Sequence, residues 1–156
     1  LKSDRVDVIR ASMISLMRLD PRRYGAVIPE MLLSGHGGIV KTAKELIQKY
    51  RIHDYDRIEE IFSMTPYGST KMKCAALLFS AGKWQRMIYI LRFMSDKHEP
   101  LRNMCRTQFI RWFGTYNRSF SAPTEEQKTT ILKLLREQES YLSESALAHL
   151  RLVLTL

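Results

Sequence analysis

The chain of 156 residues is about the size of one ordinary domain, and its 45% hydrophobic and 26% charged residues exclude a disordered or fibrous protein. No apolar run approaches the roughly 20 residues that a membrane-spanning helix needs, so the sequence predicts a soluble piece with no transmembrane segment. Lysine and arginine number 25 against 16 acidic residues, and the resulting charge of +9 favours an acidic protein, a nucleic acid or an anionic lipid as partner.

Helical periodicity runs through the whole chain. Apolar residues recur at three- and four-residue steps, and no stretch alternates as a half-buried strand requires. In chain order, helices are predicted at residues 4–19, 21–34, 39–50, 55–64, two within 69–94 folded back at Gly82, 101–113, 123–139 and from 143 onwards. The sequence therefore predicts an all-α protein.

The second of these stretches contains an internal proline. Pro21 opens it directly after Asp20, and Pro29 lies eight residues further on. A proline inside a helix removes one backbone donor. We therefore expect a kink at Pro29 or a helix that begins late.

An apolar residue followed by a basic one stands near the start of four of the predicted helices. The four pairs are Ile9-Arg10, Val40-Lys41, Met72-Lys73 and Leu101-Arg102. They are 31, 32 and 29 residues apart, and a nearly constant period of this length is typical of stacked two-helix repeats.

The positions that follow these pairs are also similar. Three residues further on lie Ser12, Ala43, Ala75 and Met104, and seven residues further on lie Leu16, Ile47, Phe79 and Gln108. An apolar, a basic, a small and a large apolar residue at these offsets resemble the first helix of HEAT repeats over about residues 4–139, although the fourth unit departs at Met104 and Gln108. The resemblance implies a right-handed α-solenoid of about four to five antiparallel helix pairs. It would form a single HEAT-like repeat domain over residues 1–156, with second helices lining a concave surface.

The two ends of the chain favour a segment of a longer protein. The sequence begins with Leu1 rather than methionine and ends in the apolar run LRLVLTL. We expect a cytoplasmic location, or a soluble domain of a larger or membrane-anchored protein.

No motif in the sequence predicts a cofactor, a metal or a catalytic site. The histidines, His36, His53, His98 and His149, do not stand at ligand spacing. The glycine-rich run at residues 34–38 lacks the lysine and hydroxyl of a P-loop and is interpreted as a turn between helices.

The two cysteines are predicted to be free. Cys74 and Cys105 lie 31 residues apart at similar points of consecutive repeats, where each would face a helix interface. Cysteine is among the most buried residue types, so two buried thiols are favoured over a disulfide.

The function expected from the repeats is that of a non-catalytic protein-interaction or scaffolding module, which binds an acidic protein or peptide on a basic concave face. Aromatic residues and arginines concentrate interface energy, so those of the second helices are the expected anchors. They are Tyr24, Trp84, Arg86, Tyr89 and Arg92.

A nucleic-acid-binding or DNA-glycosylase-like HEAT-repeat domain is the alternative, and a catalytic role is left open. Basic residues with interleaved aromatics on the second helices could follow phosphates and stack bases. The first helices hold as many positive charges, which favours a solvated basic surface. In HEAT-like repeats the basic residue after the first apolar one often works structurally, so Arg10, Lys41, Lys73 and Arg102 are expected to reach neighbouring turns or carboxylates.

Overall fold

The helices follow the predicted stretches closely. A computed structural model describes residues 5–115 and 121–155, and this part of the chain forms helices and turns with no strand. The α-helices are α1 Val6–Leu19, α2 Pro21–Tyr24, α3 Gly37–Tyr50, α4 Tyr55–Met64, α5 Gly68–Leu78, α6 Lys83–Phe93, α7 Glu99–Thr115, α8 Glu125–Glu137 and α9 Glu144–Thr155. Short 3₁₀ turns lie at Gly25–Val27, Pro29–Leu33 and Glu139–Tyr141. The all-α prediction is confirmed.

The stretch after α1 differs from the single kinked helix that was expected. α2 ends after one turn at Tyr24, and the chain continues as two 3₁₀ turns, of which the second begins at Pro29. Pro29 has no N–H to donate, and its ring would clash with a carbonyl oxygen of the preceding turn in a continuous α-helix. The chain therefore tightens to 3₁₀ geometry. Pro29 takes the first position of the second turn, where no donor is needed, and we call Pro29–Leu33 the Pro29 turn.

The chain divides into two compact units, residues 1–78 and residues 79–156. In the first unit, α3 packs against α1, the Pro29 turn and α5, and α4 packs against α5. In the second unit, α6 packs against α7 and α8. The prediction that residues 1–156 form one repeat domain stays a prediction.

In the first unit, α1 and α3 run parallel with an offset of 32 residues. Arg10 Nε on α1 donates to Thr42 Oγ1 on α3 at 3.0 Å, and this hydroxyl donates to the carbonyl oxygen of Gly38 at 3.0 Å. A Cβ built on Gly38 would lie 3.6 Å from Val6 Cγ1, so the starts of the two helices lie together. Both contacts join residues 32 positions apart, close to the 31-residue step between the first two apolar-basic pairs.

The basic residues of the apolar-basic pairs make a polar contact at three of the four sites. Arg10, of the first pair, joins α1 to α3 through its hydrogen bond to Thr42. Arg102 Nη1 donates to the carbonyl oxygens of Asp96 and Lys97, in the turn before α7, at 2.9 and 3.0 Å. Lys41 lies 3.9 Å from the carboxylate of Glu45, one helical turn further on. At these three sites the basic side chain reaches a neighbouring helix, turn or carboxylate, as expected.

Two tryptophans join α6, α7 and the segment before α8 in the second unit. Trp84 Nε1 donates to the carbonyl oxygen of Ser121 at 2.7 Å, and Trp112 Nε1 donates to that of Lys83 at 3.0 Å. The two indole rings meet edge to face, with centroids 5.4 Å apart. Both rings are buried, and each N–H has the partner that a buried polar group needs.

Candidate functional site

α6 carries four of the five residues predicted as binding anchors, and it buries two of them. Trp84 and Tyr89 are only 6% and 2% exposed. Trp84 packs in the tryptophan pair, and Tyr89 stacks on Phe93 with ring centroids 6.0 Å apart. Because α7 and α8 both pack on α6, its apolar residues are buried on more than one face. The expectation that these two rings contact a partner is therefore corrected: they stabilise the core.

The other three predicted anchors reach solvent to different extents. Tyr24, in the first unit, is half-buried, and the guanidinium carbon of Arg23 lies 5.4 Å from its ring centroid. Arg92 is exposed. Arg86 is half-buried, and its Nε is buried without a hydrogen-bond partner in the described chain. The binding role of these three residues stays a prediction.

An apolar cleft of about 330 Å³ opens in the second unit beside α7, and we call it the α7 cleft. Its size suits a small ligand or a few side chains of a partner. The walls come from α7, the end of α6, and the junction between the third 3₁₀ turn and α9. Apolar lining is supplied by Met94, Phe109, Ile110, Phe113, Leu142 and Ala146. Polar groups are supplied by Arg106, Tyr141 and Ser143.

The residues of α7 that line the cleft differ in burial. Phe109 is buried, and its ring meets Phe113 edge to face at 4.9 Å. Ile110 is the next residue along the helix, so it points in a different direction, and it is 71% exposed. Burial of an isoleucine side chain contributes about 1.5–3 kcal/mol. A partner that covered Ile110 would gain part of this free energy.

The opposite wall of the cleft is held by two hydrogen bonds, one local and one between distant parts of the chain. Ser143 Oγ accepts from the amide of Ala146 at 3.3 Å and so caps the start of α9. Tyr141, on the third 3₁₀ turn, is 42% exposed at the rim. Just before this turn, Gln138 Nε2 donates to Ser95 Oγ at 3.0 Å, which ties the end of α8 to the turn after α6. The two walls are therefore joined by a partly buried polar contact.

Arg106 is the charged residue among the described lining residues. Its Nη1 lies 3.4 Å from Asn103 Oδ1, which is a long and weak contact. No carboxylate of residues 5–115 or 121–155 lies within ion-pair distance of its guanidinium. Arg106 therefore presents a fork of donors that fits a carboxylate from outside the described chain.

The described residues do not assemble a metal centre or a reactive thiol. Within them, no group of three or more histidine, cysteine, aspartate or glutamate side chains is placed to hold a metal ion. Burial raises the pKa of both Cys74 and Cys105 to about 12, so these thiols stay protonated at neutral pH. Both are free and buried, as predicted.

None of the described helices combines the length and the apolar character needed to pass through a bilayer.

Comparison with known proteins gives no assignment. No family model, curated protein or solved structure matches the chain.

Spacing in the sequence does not predict the α7 cleft, although one signal for it is present. Ile110 lies outside the predicted apolar face of α7, which includes Phe109 and Trp112. A large apolar residue outside the core stripe of a helix points to a contact outside the core. The facing residues Met94 and Leu142 lie 16 positions before and 32 positions after Ile110, and no local spacing rule joins them.

Proposed function

We propose that the chain is a non-catalytic protein-interaction module, which binds an apolar segment of a partner protein in the α7 cleft and pairs an acidic side chain of that segment with Arg106. One observation carries this proposal: Ile110 is 71% exposed in the lining of an apolar cleft of about 330 Å³. A concave apolar surface with few polar groups fits the apolar face of an amphipathic helix.

Charge complementarity supports an acidic partner. The guanidinium of Arg106 has no carboxylate partner in the described chain, and the whole sequence has a charge of +9. A partner carboxylate would form charge-assisted hydrogen bonds with this guanidinium beside an apolar wall, where water competes less. Opposite net charges would also speed the encounter.

The scaffold in this proposal is a right-handed α-solenoid similar to HEAT repeats. Its support is the parallel packing of α1 and α3 at an offset of 32 residues, close to the predicted repeat period. In a repeat array, equivalent helices of successive repeats stack on one another. A docking cleft on one repeat is then a local feature of a larger interaction surface.

Selection from a displayed library of amphipathic helical peptides tests the proposal. We expect enrichment of peptides with apolar residues at i, i+3 and i+4 and a neighbouring glutamate or aspartate. A fluorescein-labelled selected peptide is then titrated with the wild-type chain and with Ile110→Ser and Arg106→Glu. Each substitution is expected to raise the Kd about tenfold, which corresponds to ~1.4 kcal/mol.

Two positions outside the cleft provide matched controls. Leu152→Ser removes an apolar side chain that is 61% exposed on α9, and Arg111→Glu reverses an exposed charge on α7. Both should bind the peptide like the wild type. The proposal is wrong if no such peptides are enriched, or if Ile110→Ser and Arg106→Glu bind as tightly as the controls. Tight binding of a random DNA duplex that weakens steeply with salt would favour the nucleic-acid alternative.

A further inference from the structure

One end of the first unit is strongly basic. α1 and α3 are both 14 residues long and run parallel, so their carboxyl ends lie at the same end of the unit. Ile52, just after α3, lies against Gly25, just after α2: a Cβ built on Gly25 would be 3.8 Å from Ile52 Cδ1. The ends of α1 and α3 therefore lie next to α2. The exposed side chains of this surface, which we call the basic end, are Arg18, Leu19, Arg22, Arg23, Lys49 and Arg51.

The five cations of the basic end have no ion-pair partner among the described residues. Two carboxylates close to them in the chain, those of Asp20 and Asp54, are used as helix caps. Asp20 accepts from the amides of Arg22 and Arg23 at 3.1 and 3.0 Å, and Asp54 accepts from the amide of Arg57 at 3.2 Å. The surface therefore keeps an excess of positive charge, which a dense anionic surface would match.

Helix dipoles account for only part of this charge. Arg18 and Lys49 lie in the last turns of α1 and α3, where cations stabilise the free carbonyl groups. Arg51 is the C-cap of α3 and lies at the same carboxyl end, whereas Arg22 and Arg23 lie in the single turn of α2 close to its N-cap. The dipoles of α1 and α3 therefore do not account for Arg22 and Arg23.

Leu19 distinguishes among the possible anionic partners. It lies between Arg18 and the cap residue Asp20 and is 77% exposed, the highest value among the large apolar side chains of the described chain. A phosphodiester backbone offers an aliphatic side chain no favourable contact. Base stacking needs an open aromatic ring, but Tyr24 is half-buried beside Arg23. A bilayer interface suits both features, because lipid phosphates attract the arginines and the leucine side chain inserts into the acyl region.

We propose that the basic end binds the surface of a membrane rich in anionic phospholipid, with Leu19 inserted below the headgroups and the surrounding arginines at the lipid phosphates. This contact is independent of the α7 cleft, which belongs to the other unit. Each cation close to an anionic membrane strengthens binding about fivefold at low ionic strength, and salt screens the attraction. Binding is therefore reversible, and it weakens as the salt concentration rises.

Co-sedimentation with vesicles tests this proposal on the full chain. We expect binding to phosphatidylcholine vesicles that contain about 30% phosphatidylserine, and much weaker binding to phosphatidylcholine alone. The double variant Arg22→Glu, Arg23→Glu is expected to lower the partition coefficient at least tenfold. Leu19→Ser should lower it about tenfold, the effect of losing one inserted leucine. Circular dichroism checks that each variant keeps its helix content and melting temperature.

Matched controls separate a defined contact from a general effect of charge. Lys97→Glu with Arg111→Glu makes the same change in net charge at exposed positions in the second unit, and Val8→Ser removes a 43% exposed apolar residue from the body of α1. Both controls should bind vesicles like the wild type. The proposal is overturned if the control double variant loses as much binding as the arginine pair, or if Leu19→Ser binds like Val8→Ser. It is also overturned if a random DNA duplex is bound while the anionic vesicles are not.

Discussion

In the first unit, the guanidinium of Arg57 donates from Nε and Nη2 to the two carboxylate oxygens of Glu30, both at 2.6 Å. A third hydrogen bond, from Nη1, goes to Glu60 on the same helix. Glu30 lies on the Pro29 turn and Arg57 on α4, so this two-pronged pair joins an irregular segment to a regular helix. The hydrogen bonds from Arg57 lower the pKa of Glu30 below its ordinary value of 4.5.

The first prediction concerns the pH dependence of this pair. A carboxylate whose pKa is lowered on folding stabilises the native state above its ordinary pKa, and this contribution is lost as the pH falls through the lowered value. Glu30→Gln should therefore lower the melting temperature by about 2 °C at neutral pH, a modest effect because the pair is partly exposed. At about pH 3 the melting temperature of Glu30→Gln should differ less from that of the wild type.

Thermal melts followed by circular dichroism at both pH values check this prediction. Glu45→Gln is the matched control, because Glu45 pairs with Lys41 only at 3.9 Å on an exposed helix face. It should change the melting temperature less than Glu30→Gln at neutral pH. If Glu30→Gln lowered the melting temperature equally at both pH values, the carboxylate charge of Glu30 would have no part in the contact.

The helices could be predicted wherever apolar periodicity and helix-breaking residues agree. α4 has the predicted bounds, Tyr55–Met64, since Asp54 caps its start and Pro66 follows its end. The segment from Pro21 to Leu33 could not be predicted in detail. There the periodicity continues across Pro29, and whether the chain kinks or tightens to 3₁₀ geometry depends on packing against α3 and α4.

The candidate site was harder to predict than the helices. Tyr89 and Trp84 are of residue types that are common in interfaces. Whether they can contact a partner depends on how many sides of α6 are covered by other helices. Nearly continuous apolar residues in α6 indicate a helix buried on several sides, and this favours a core role. The α7 cleft brings Ile110 into one lining with residues far away in the chain, which a pattern within one helix cannot show.

The second prediction concerns the two thiols. Burial raises the pKa of Cys74 and Cys105 to about 12 from the ordinary 9.0, so both hold far less thiolate at neutral pH than exposed cysteines would. Neither thiol should react promptly with Ellman's reagent in the folded protein, and both should react quickly in denaturant. Cys74→Ala and Cys105→Ala identify which thiol is responsible for any signal. Prompt reaction of either thiol under native conditions would contradict the described burial.

The third prediction concerns the tryptophan pair. Trp112→Phe removes the donor to the carbonyl oxygen of Lys83 and part of a buried ring, so it should destabilise the fold by about 2 kcal/mol. Trp84→Phe should lower the free energy of unfolding by a similar amount, because it removes the donor to the carbonyl oxygen of Ser121. Urea unfolding followed by the fluorescence of the remaining tryptophan measures both. A loss below about 0.5 kcal/mol in either variant would show that its indole N–H is not needed in the core.

The fourth prediction tests the parallel packing of α1 and α3 through a glycine. Gly38 lies in the first turn of α3, and the glycines of the described chain have no positive φ. A Cβ at this position would lie 3.6 Å from Val6 Cγ1 and from Arg10 Cδ, which is ordinary van der Waals contact. Gly38→Ala should therefore stabilise the protein by about 0.5–1 kcal/mol, through helix propensity and added packing, as measured by urea unfolding.

Gly37→Ala is the matched control for this substitution. It lies in the same turn of α3, but a Cβ built on it has nothing within 4 Å, so only helix propensity can act there. If α3 begins beside α1 in the described register, Gly38→Ala should stabilise at least as much as Gly37→Ala. Should Gly38→Ala destabilise the fold while Gly37→Ala does not, α1 must approach α3 more closely than described. The described distance of 3.6 Å between a Cβ at Gly38 and the side chains of α1 would then be wrong.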